Sequence, residues 1–593
     1  MENTVGELRP IRFGAFELDA SAGELRKRGV RIRLQEQPLR ILQMLLANPG
    51  HVVTRDELRD ALWPANSYVD FDQGLNRAIN KLREALGDSA ENPIFIETLA
   101  KRGYRFIGSL AVTPRRIASL AVLPLDNLSR DPEQEFFADG MTEALITNLA
   151  KVGALRIASR TSVMRFKGTR NKSIREVAAE LGVDGIVEGT VSRDRDRVRI
   201  SAQLIDAATD THIWAESYER DLQSIFALQN EVACSTVKMI QATVTPQEHA
   251  RLAIWREVRP EVYEHYLKGR YFWNRRTLEA MSKGLEYFQS AIDKDPNYAP
   301  AHVGVADSTT RLGWHGFVAP EQGCGRGKAA ALRAIQIDGT LADAHAALGF
   351  ALVHYDYAID AATAEARLAL ELDPRSVNAT QTLAICLMSA GLTEEALKAI
   401  THAIELDPLS LAVRWNAGVF CYLARKYDRA VAESRKCFEF DPGFVQAWST
   451  LVFVLAKQGH DDGLIAQFER IAQASAGNQY LLGILGHYYA SVGRRSDAQG
   501  VLDQLRAVSA QRWVSAFWPA VIKAGLGEME EAFFGLDAAY VEHTPWLAYA
   551  KVAPFLDDLR SDARFDELLR RLNPRTLLQT AVAGPRGAGM HGA

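Results

Sequence analysis

The sequence predicts a multidomain α+β protein in three parts: a compact N-terminal unit of strands, helices and a hairpin, a small α/β domain, and an all-α solenoid. Three observations carry that reading. At about 100–200 residues per domain, 593 residues are too many for one core. Asp70 to Gly87, DFDQGLNRAINKLREALG, places Leu75, Ile79, Leu82 and Leu86 on one helical face. Its other face carries Asn76, Arg77, Asn80, Lys81 and Glu84, with Arg83 at the flank. Further on, turn residues recur every 34 positions: Pro374, Pro408 and Pro442, each after an Asp, and Gly459, Gly493 and Gly527.

With 47% hydrophobic and 24% charged residues, the composition is that of a soluble globular chain. A net charge of -4 excludes a global basic field, so contact with nucleic acid needs a local patch. Residues 1–110 carry 16 Lys+Arg against 15 Asp+Glu, which places that patch on particular elements. The five cysteines are odd in number and form no C-x-x-C pair, so reduced, mostly buried thiols are expected. Met1 to Pro10 is polar, with Glu2 and Glu7, and no apolar run reaches the roughly 18 residues that span a bilayer. A cytoplasmic protein without membrane contact is expected.

Phe13 to Leu34 reads as two short strands, FGAFELD and RIRLQ, separated by the turn-like SAGELRKRG. Gln37 to Ala47 is a helix with Leu39, Leu42, Leu45 and Leu46 facing a core, stopped by Asn48-Pro49-Gly50. Thr54 is an N-cap, and Glu57 completes a capping box for a short helix ending at Trp63 and Pro64. The loop Ala65 to Val69 leads into the 70–87 helix. IFIETLAKRGYRFIG then alternates and turns near Lys101-Arg102-Gly103, as a hairpin does.

That order defines a winged helix-turn-helix. A helix can lie in the DNA major groove, where Asn pairs with adenine and Arg or Lys with guanine. Phe13 to Gly108 resembles the OmpR/PhoB-type DNA-binding domain through VVTRDELRDALWP, LNRAINKLREALGD and RGYRF. The resemblance implies a domain over 8–109, a linker over 110–118, and double-stranded DNA and RNA polymerase as partners. It makes Asn76, Arg77, Asn80 and Lys81 base-facing, Arg83, Thr54 and Arg55 phosphate contacts, and Lys101 and Arg102 the wing contacts. Leu75, Ile79 and Leu82 stay in the core, and Tyr104 packs against the helix. Only about a dozen residues precede the first strand, so control through an attached receiver domain is not expected. CadC- and ToxR-type members place a transmembrane helix after the domain. The junction here, SLAVTPRRIAS, is too short to span. The layout is similar to that of HilA-type activators, with repeats behind the winged helix.

From Ile117 the pattern turns α/β. IASLAVLPL is a strand, FADGMTEALITNLAKVG a helix with Thr142 and Glu143 in its first turn, and LRIAS a strand. SIREVAAELG is a helix, a strand series follows to Asp221, and Ser224 to Val244 is a helix. Residues 119–245 resemble the TolB-like amino-terminal domain through AVLPLDNLSRDPEQEFFADGMTEALI, ASRTSVMRFKG, AAELGVDGIVEGTV and THIWAESYERDL. Arg160-Thr161-Ser162 and Phe166-Lys167-Gly168 either line an anion or nucleotide pocket or are surface charges and turns. No Walker loop and no G-x-G-x-x-G follows a strand here.

LGHYYASVGRRSDA, with Ala396/Ala430 and Ala498/Ala532 also 34 apart, resembles the tetratricopeptide pattern. Small residues let the two helices of a repeat touch, and Pro ends the second. Seven or eight repeats are expected over 262–545, with a loop insertion where the register slips at Trp314 to Gly327. A capping helix over 546–575 and a disordered tail over 576–593 follow. Such stacks curve, and a concave surface that binds a peptide or protein is expected. The alternative role is a homodimer that spaces two winged helices.

The histidines at 265, 302, 345 and 354 show no metal-ligand spacing, so core or surface roles are expected, with no metal and no cofactor. TolB-like and repeat modules also accompany adenylate cyclases, but no cyclase segment fits between residues 1 and 593, and no catalysis is expected. The reading is a one-component, phosphorelay-independent bacterial transcriptional regulator. Its rival is a scaffold whose winged helix docks protein.

Overall fold

The computed structural model describes residues 11–572, except 20–21, 28, 64–70, 109, 112–116, 130, 170, 196, 241–257, 276, 460 and 476. The expected loop 65–69 and tail 576–593 lie outside the described residues. Two compact units divide the chain after Arg116.

In the N-terminal unit, β1 (Ile11–Phe13), β2 (Phe16–Asp19), β3 (Glu24–Lys27) and β4 (Val30–Ile32) form an antiparallel meander. The stretch expected as a turn, SAGELRKRG, therefore contains a strand. Gly14, Gly23 and Gly29, all at positive φ, make the tight turns that leave room for it. Leu110–Ala111 pairs with β1, so the expected linker over 110–118 begins inside this sheet. Three helices follow: α1 (Glu36–Ala47), α2 (Arg55–Leu62) and α3 (Phe71–Leu86). A second sheet joins Val52–Thr54 to the hairpin Ile96–Leu99 and Gly103–Phe106. Phe13, Phe16, Leu42, Leu45, Leu58, Leu75, Ile79, Leu82 and Phe106 share one core. In α1, Ile41 is buried where Leu39 was expected, and Leu39 packs at the margin.

The larger unit opens with a mixed sheet. Ser119–Val122 pairs in parallel with Arg156–Ile157 and Gly185–Asp194, and the last continues antiparallel through Arg197–Asp206 and Thr211–Asp221. Helix α4 (Glu135–Ala150) crosses it. The helix starts earlier than expected, so Thr142 lies in its second turn and is buried. There Thr142 donates to Ala138 O and accepts from Leu125 N–H. The anion-pocket reading of 160–168 fails because its cations are already neutralised. Arg160 pairs with Glu143 at 3.2 Å, and Lys167 with Asp139 at 2.5 Å and Glu135 at 2.7 Å. Ser162 donates to Asp407 at 2.6 Å, a residue of the repeats. Tyr263, Leu267 and Leu409 are buried in the same core as the sheet, so the α/β part and the repeats form one body rather than separate domains.

Eight helix pairs follow among the described residues, from Pro260–Trp273 with Leu278–Lys294 to Phe517–Gly525 with Met529–Val541. The expected insertion is a short loop and a π-helical turn, Glu321–Gly325, preceding the second helix of repeat 2. One turn device recurs. His302, His345 and Arg414 each reach back six residues to the carbonyl of Pro296, Gly339 or Pro408, pinning the inter-repeat turn.

The inner face departs from expectation. The segment foreseen as a capping helix begins as two 3₁₀ turns, Pro545–Tyr549 and Pro554–Leu559, and only Ala563–Arg571 is a helix. Those turns fill the inside of the superhelix. Trp546 lies 5.2 Å from Trp314 of repeat 2, 5.4 Å from Tyr480 of repeat 7 and 5.6 Å from Trp518 of repeat 8, ring centre to ring centre. Gln479 Nε2 donates to Gly316 O at 2.6 Å, so repeats 2 and 7 meet directly. Asp557 holds Arg425 through two hydrogen bonds, and Tyr549 donates to His354 Nε2. An open concave surface along the whole array is therefore excluded by the chain's own C-terminal segment.

Two histidines in this interior predict acid sensitivity. Burial pushes His354 down to about 4 and His487 down to about 3. Both are neutral in the fold, while an unfolded chain protonates them near 6.5. Stability is thus full above pH 6.5 and falls as the pH drops from there towards 4. Each histidine costs on the order of 3 kcal/mol by the low end of that window. Melting temperature followed by tryptophan fluorescence from pH 7.5 to 4 should fall steadily, and less steeply in His487→Leu. An equal slope in that variant would place the acid lability elsewhere.

Candidate nucleic-acid interface

The exposed face of α3 is set by its buried one. Leu75, Ala78, Ile79, Leu82 and Leu86 face the core, which turns Asn76, Arg77, Asn80 and Lys81 outwards, all exposed. The side chains of Arg77 and Asn80 make no hydrogen bond among the described residues, leaving a guanidinium and a carboxamide open to a partner. Lys81 donates to Gln35 Oε1 at 2.7 Å, which holds its ammonium beside the start of α1.

Thr54 caps α2 as expected. Its hydroxyl oxygen accepts from Glu57 N–H, and Glu57 Oε2 accepts from Thr54 N–H at 2.7 Å, which holds the Glu57 carboxyl below its ordinary range. Arg55 is half-buried and organises the neighbouring groups. It donates to Asp72 at 2.6 Å, to the Tyr104 hydroxyl at 3.1 Å and to Asn76 Oδ1 at 3.3 Å. Tyr104 is buried against the helix, as expected, and its hydroxyl donates to Asn76 Oδ1 at 3.1 Å. Asn76 Oδ1 therefore receives two donors, which uses its acceptor capacity. In this arrangement Asn76 offers a partner its amide N–H alone and does not pair bidentately with adenine.

Arg83 corrects its assignment as a phosphate contact. It is 6% exposed, and its guanidinium donates to Ile96 O and Thr98 Oγ1, both at 2.8 Å. It ties the helix to the wing and has no solvent face to offer. Sequence periodicity did not find this because an apolar stripe assigns a flank position to neither face.

The wing tip is a tight turn with Lys101 at φ 59 and both Lys101 and Arg102 exposed. Gly103 permits it. A Cβ there would stand 2.1 Å from Val53 O, so only glycine lets the wing pair with Val52–Thr54. The structure thus gathers Arg77, Asn80 and Lys81 on one helix and places Lys101 and Arg102 on the hairpin beside it. Asp72 and Gln35 are the residues that sequence reasoning passed over. Asp72 sits in a stretch whose helical phase was read and Gln35 ends one read as a strand, and nothing local marks them as holding Arg55 and Lys81. Among the described residues, no group of three or more His, Cys, Asp or Glu could hold a metal ion.

Residues 29–106 match the family described as "Transcriptional regulatory protein, C terminal". The N-terminal unit is an OmpR/PhoB-type winged helix, and the helical pairs of the larger unit are tetratricopeptide-like. "Putative adenylate cyclase 3" of Rhizobium meliloti is 33% identical over 318 residues, 52% of this chain and 52% of that protein. The chain thus aligns with about half the length of this relative. At 318 residues the match is longer than the N-terminal unit, so most of it lies in the larger unit. "Transcriptional regulator HilA" of Salmonella typhimurium is 22% identical over 66% of this chain and 69% of its own. The solved tetratricopeptide repeat protein from Parabacteroides merdae is 14% identical, covers 53% of this chain and 98% of its own, and gives a TM-score of 0.29. No helix among the described residues is long and apolar enough to cross a membrane.

Proposed function

We propose that this protein is a one-component, cytoplasmic transcriptional regulator. Its winged helix binds promoter DNA through Arg77, Asn80 and Lys81, with Lys101 and Arg102 on the adjacent minor groove. One observation carries this reading: four consecutive outward positions of α3 are polar and exposed while the opposite face is buried. The family matched by residues 29–106 and the HilA similarity support it. The α/β part is TolB-like, and with the repeats it forms a non-catalytic module that receives a protein partner as input and recruits RNA polymerase or a second copy.

Selection of bound sequences from random DNA by the purified full chain tests the proposal. An enriched motif is expected, with its contrast lost in Asn80→Ala at one or two positions and about 1–3 kcal/mol of discrimination removed there. Absence of any enriched motif would favour the scaffold, in which the winged helix docks protein.

A further inference from the structure

Where repeats 2 and 7 meet, the superhelix has a seam, and the seam is unevenly packed. At Gly316 it is tight: a Cβ there would stand 2.9 Å from Gln479 Nε2, the group that bonds the Gly316 carbonyl. Beside that contact a cleft with a free volume of about 80 Å³ stays open. Helix starts and one loop build it: Leu278 of repeat 1, Phe317 of repeat 2, Val445 and Gln446 of repeat 6, and Asn478 and Tyr480 of repeat 7.

Its walls are apolar. Met281 and Leu481 are buried in them, and the Tyr480 hydroxyl is spent on Ser449 Oγ at 3.0 Å, so Tyr480 offers the cleft its ring. Leu278 and Val445 are 42% and 37% exposed. A single exposed aliphatic is ordinary. Two of them, brought from repeats 1 and 6 to one cleft, are apolar area that a ligand can cover. No Asp, Glu, Lys or Arg lines the cleft.

One polar group has a fixed orientation. Asn478 caps the first helix of repeat 7, and its Oδ1 accepts from Tyr480 N–H at 3.0 Å and Leu481 N–H at 3.4 Å. That capping bond spends the oxygen and leaves Nδ2 as a donor. The Gln446 side chain makes no hydrogen bond among the described residues. A ligand therefore meets apolar walls with two ring faces, carboxamides and no opposite charge. At roughly 10–15 Å³ for each water-sized group, there is room for about five to eight non-hydrogen atoms, the size of one ring.

We infer that this cleft binds a small uncharged aromatic molecule carrying one oxygen acceptor. Its ring lies against Phe317, Tyr480 and Leu481, and its oxygen accepts from Asn478 Nδ2. Flat rings suit walls that include Phe and Tyr, and a carboxylate would enter without a cation to pair it. The ligand touches repeats 1, 2, 6 and 7 together, so it holds the seam closed. This site is additional to the protein-partner reading of the module and does not depend on it.

The test titrates the full chain with acetophenone and with benzoate, which have similar size and the same ring but differ in charge. Saturation-transfer NMR at pH 8, where an ordinary histidine is neutral and His315 at the cleft adds no charge, reads the binding. Acetophenone should bind saturably with a Kd of about a millimolar or below, benzoate at least about tenfold more weakly, and acetophenone should raise the melting temperature of the larger unit. Asn478→Asp keeps the cap, because a carboxylate accepts from the same two N–H groups, and replaces the donor by a second acceptor. It should weaken acetophenone about tenfold. Val445→Lys changes an exposed side chain at the mouth and supplies the missing cation, so benzoate should gain about fivefold or more while acetophenone weakens. No saturable binding of acetophenone, benzoate bound as tightly as acetophenone by the unaltered chain, or acetophenone binding unchanged in Asn478→Asp would each overturn the inference. A dimer by light scattering that Val445→Lys converts to a monomer would also overturn it, because a second copy then covers the cleft.

Discussion

Trp546→Ala should lower the stability of the larger unit by about 3–5 kcal/mol, the range for emptying a buried aromatic site. Truncation before Thr544 should abolish its single cooperative transition. Linear repeat arrays gain stability from nearest neighbours, so losing an end costs one interface. Here the C-terminal segment touches repeats far apart in sequence. Trp546 contacts repeats 2, 7 and 8, and Phe555 packs 5.5 Å from Phe453 of repeat 6. Asp557 adds Arg425 of repeat 5 and Lys457 of repeat 6. These ties make the interior one core, and Trp546, Leu547, Phe555, Leu556 and Leu559 are all buried in it. Calorimetry of the full chain should show the repeats melting together, at lower temperature in Trp546→Ala and without cooperativity after truncation. Phe534→Ala is the control. That ring is 80% exposed, so its loss should stay within about 0.5 kcal/mol. Melting of the truncated chain like the intact one would show that the interior segment is a passenger.

The contrast between 34-residue spacing and interior filling shows where the sequence stops being readable. Asp373-Pro374, Asp407-Pro408 and Asp441-Pro442 are local signals: each ends a helix by its own chemistry, and the repeat count follows from them. Thr54 with Glu57 is local in the same sense, and the box is present. The route of residues 545–559 is not local. Nothing in PWLAY or PFLDDL states that Trp546 will meet Trp314, because that contact exists only after the superhelix has closed. Arg160 and Lys167 failed as an anion site for the same reason. Their partners Asp139 and Glu143 lie a helix away, and a cation's neighbours decide whether it is available. The exposed face of α3 was legible because helical periodicity alone determines it. The saturation of Asn76 Oδ1 was not, since it needs Arg55 and Tyr104 brought in from two other elements.

Arg77 and Arg83, six residues apart on one helix, should give opposite phenotypes. Arg77 is exposed and its side chain makes no hydrogen bond among the described residues, so Arg77→Ala should leave the melting of the winged helix within about 0.5 kcal/mol. On the DNA-binding reading the same change should cost about 1–3 kcal/mol at selected base positions, or roughly five- to 150-fold in affinity for the best site. Arg83→Met keeps the apolar stem and removes the guanidinium. The buried Ile96 carbonyl then loses its donor, and the helix is no longer tied to the strand that carries the wing. The expected cost is about 2–3 kcal/mol of stability, from an acceptor left buried and a charge-assisted bond lost. DNA affinity should fall with the population of folded domain, and equally for every sequence. Melting curves and DNA titrations at several salt concentrations separate the two. If Arg83 instead met a phosphate, Arg83→Met would melt normally and reduce the slope of log affinity against log salt by about one. That outcome would require the arginine to leave the hydrogen bonds it makes to the wing.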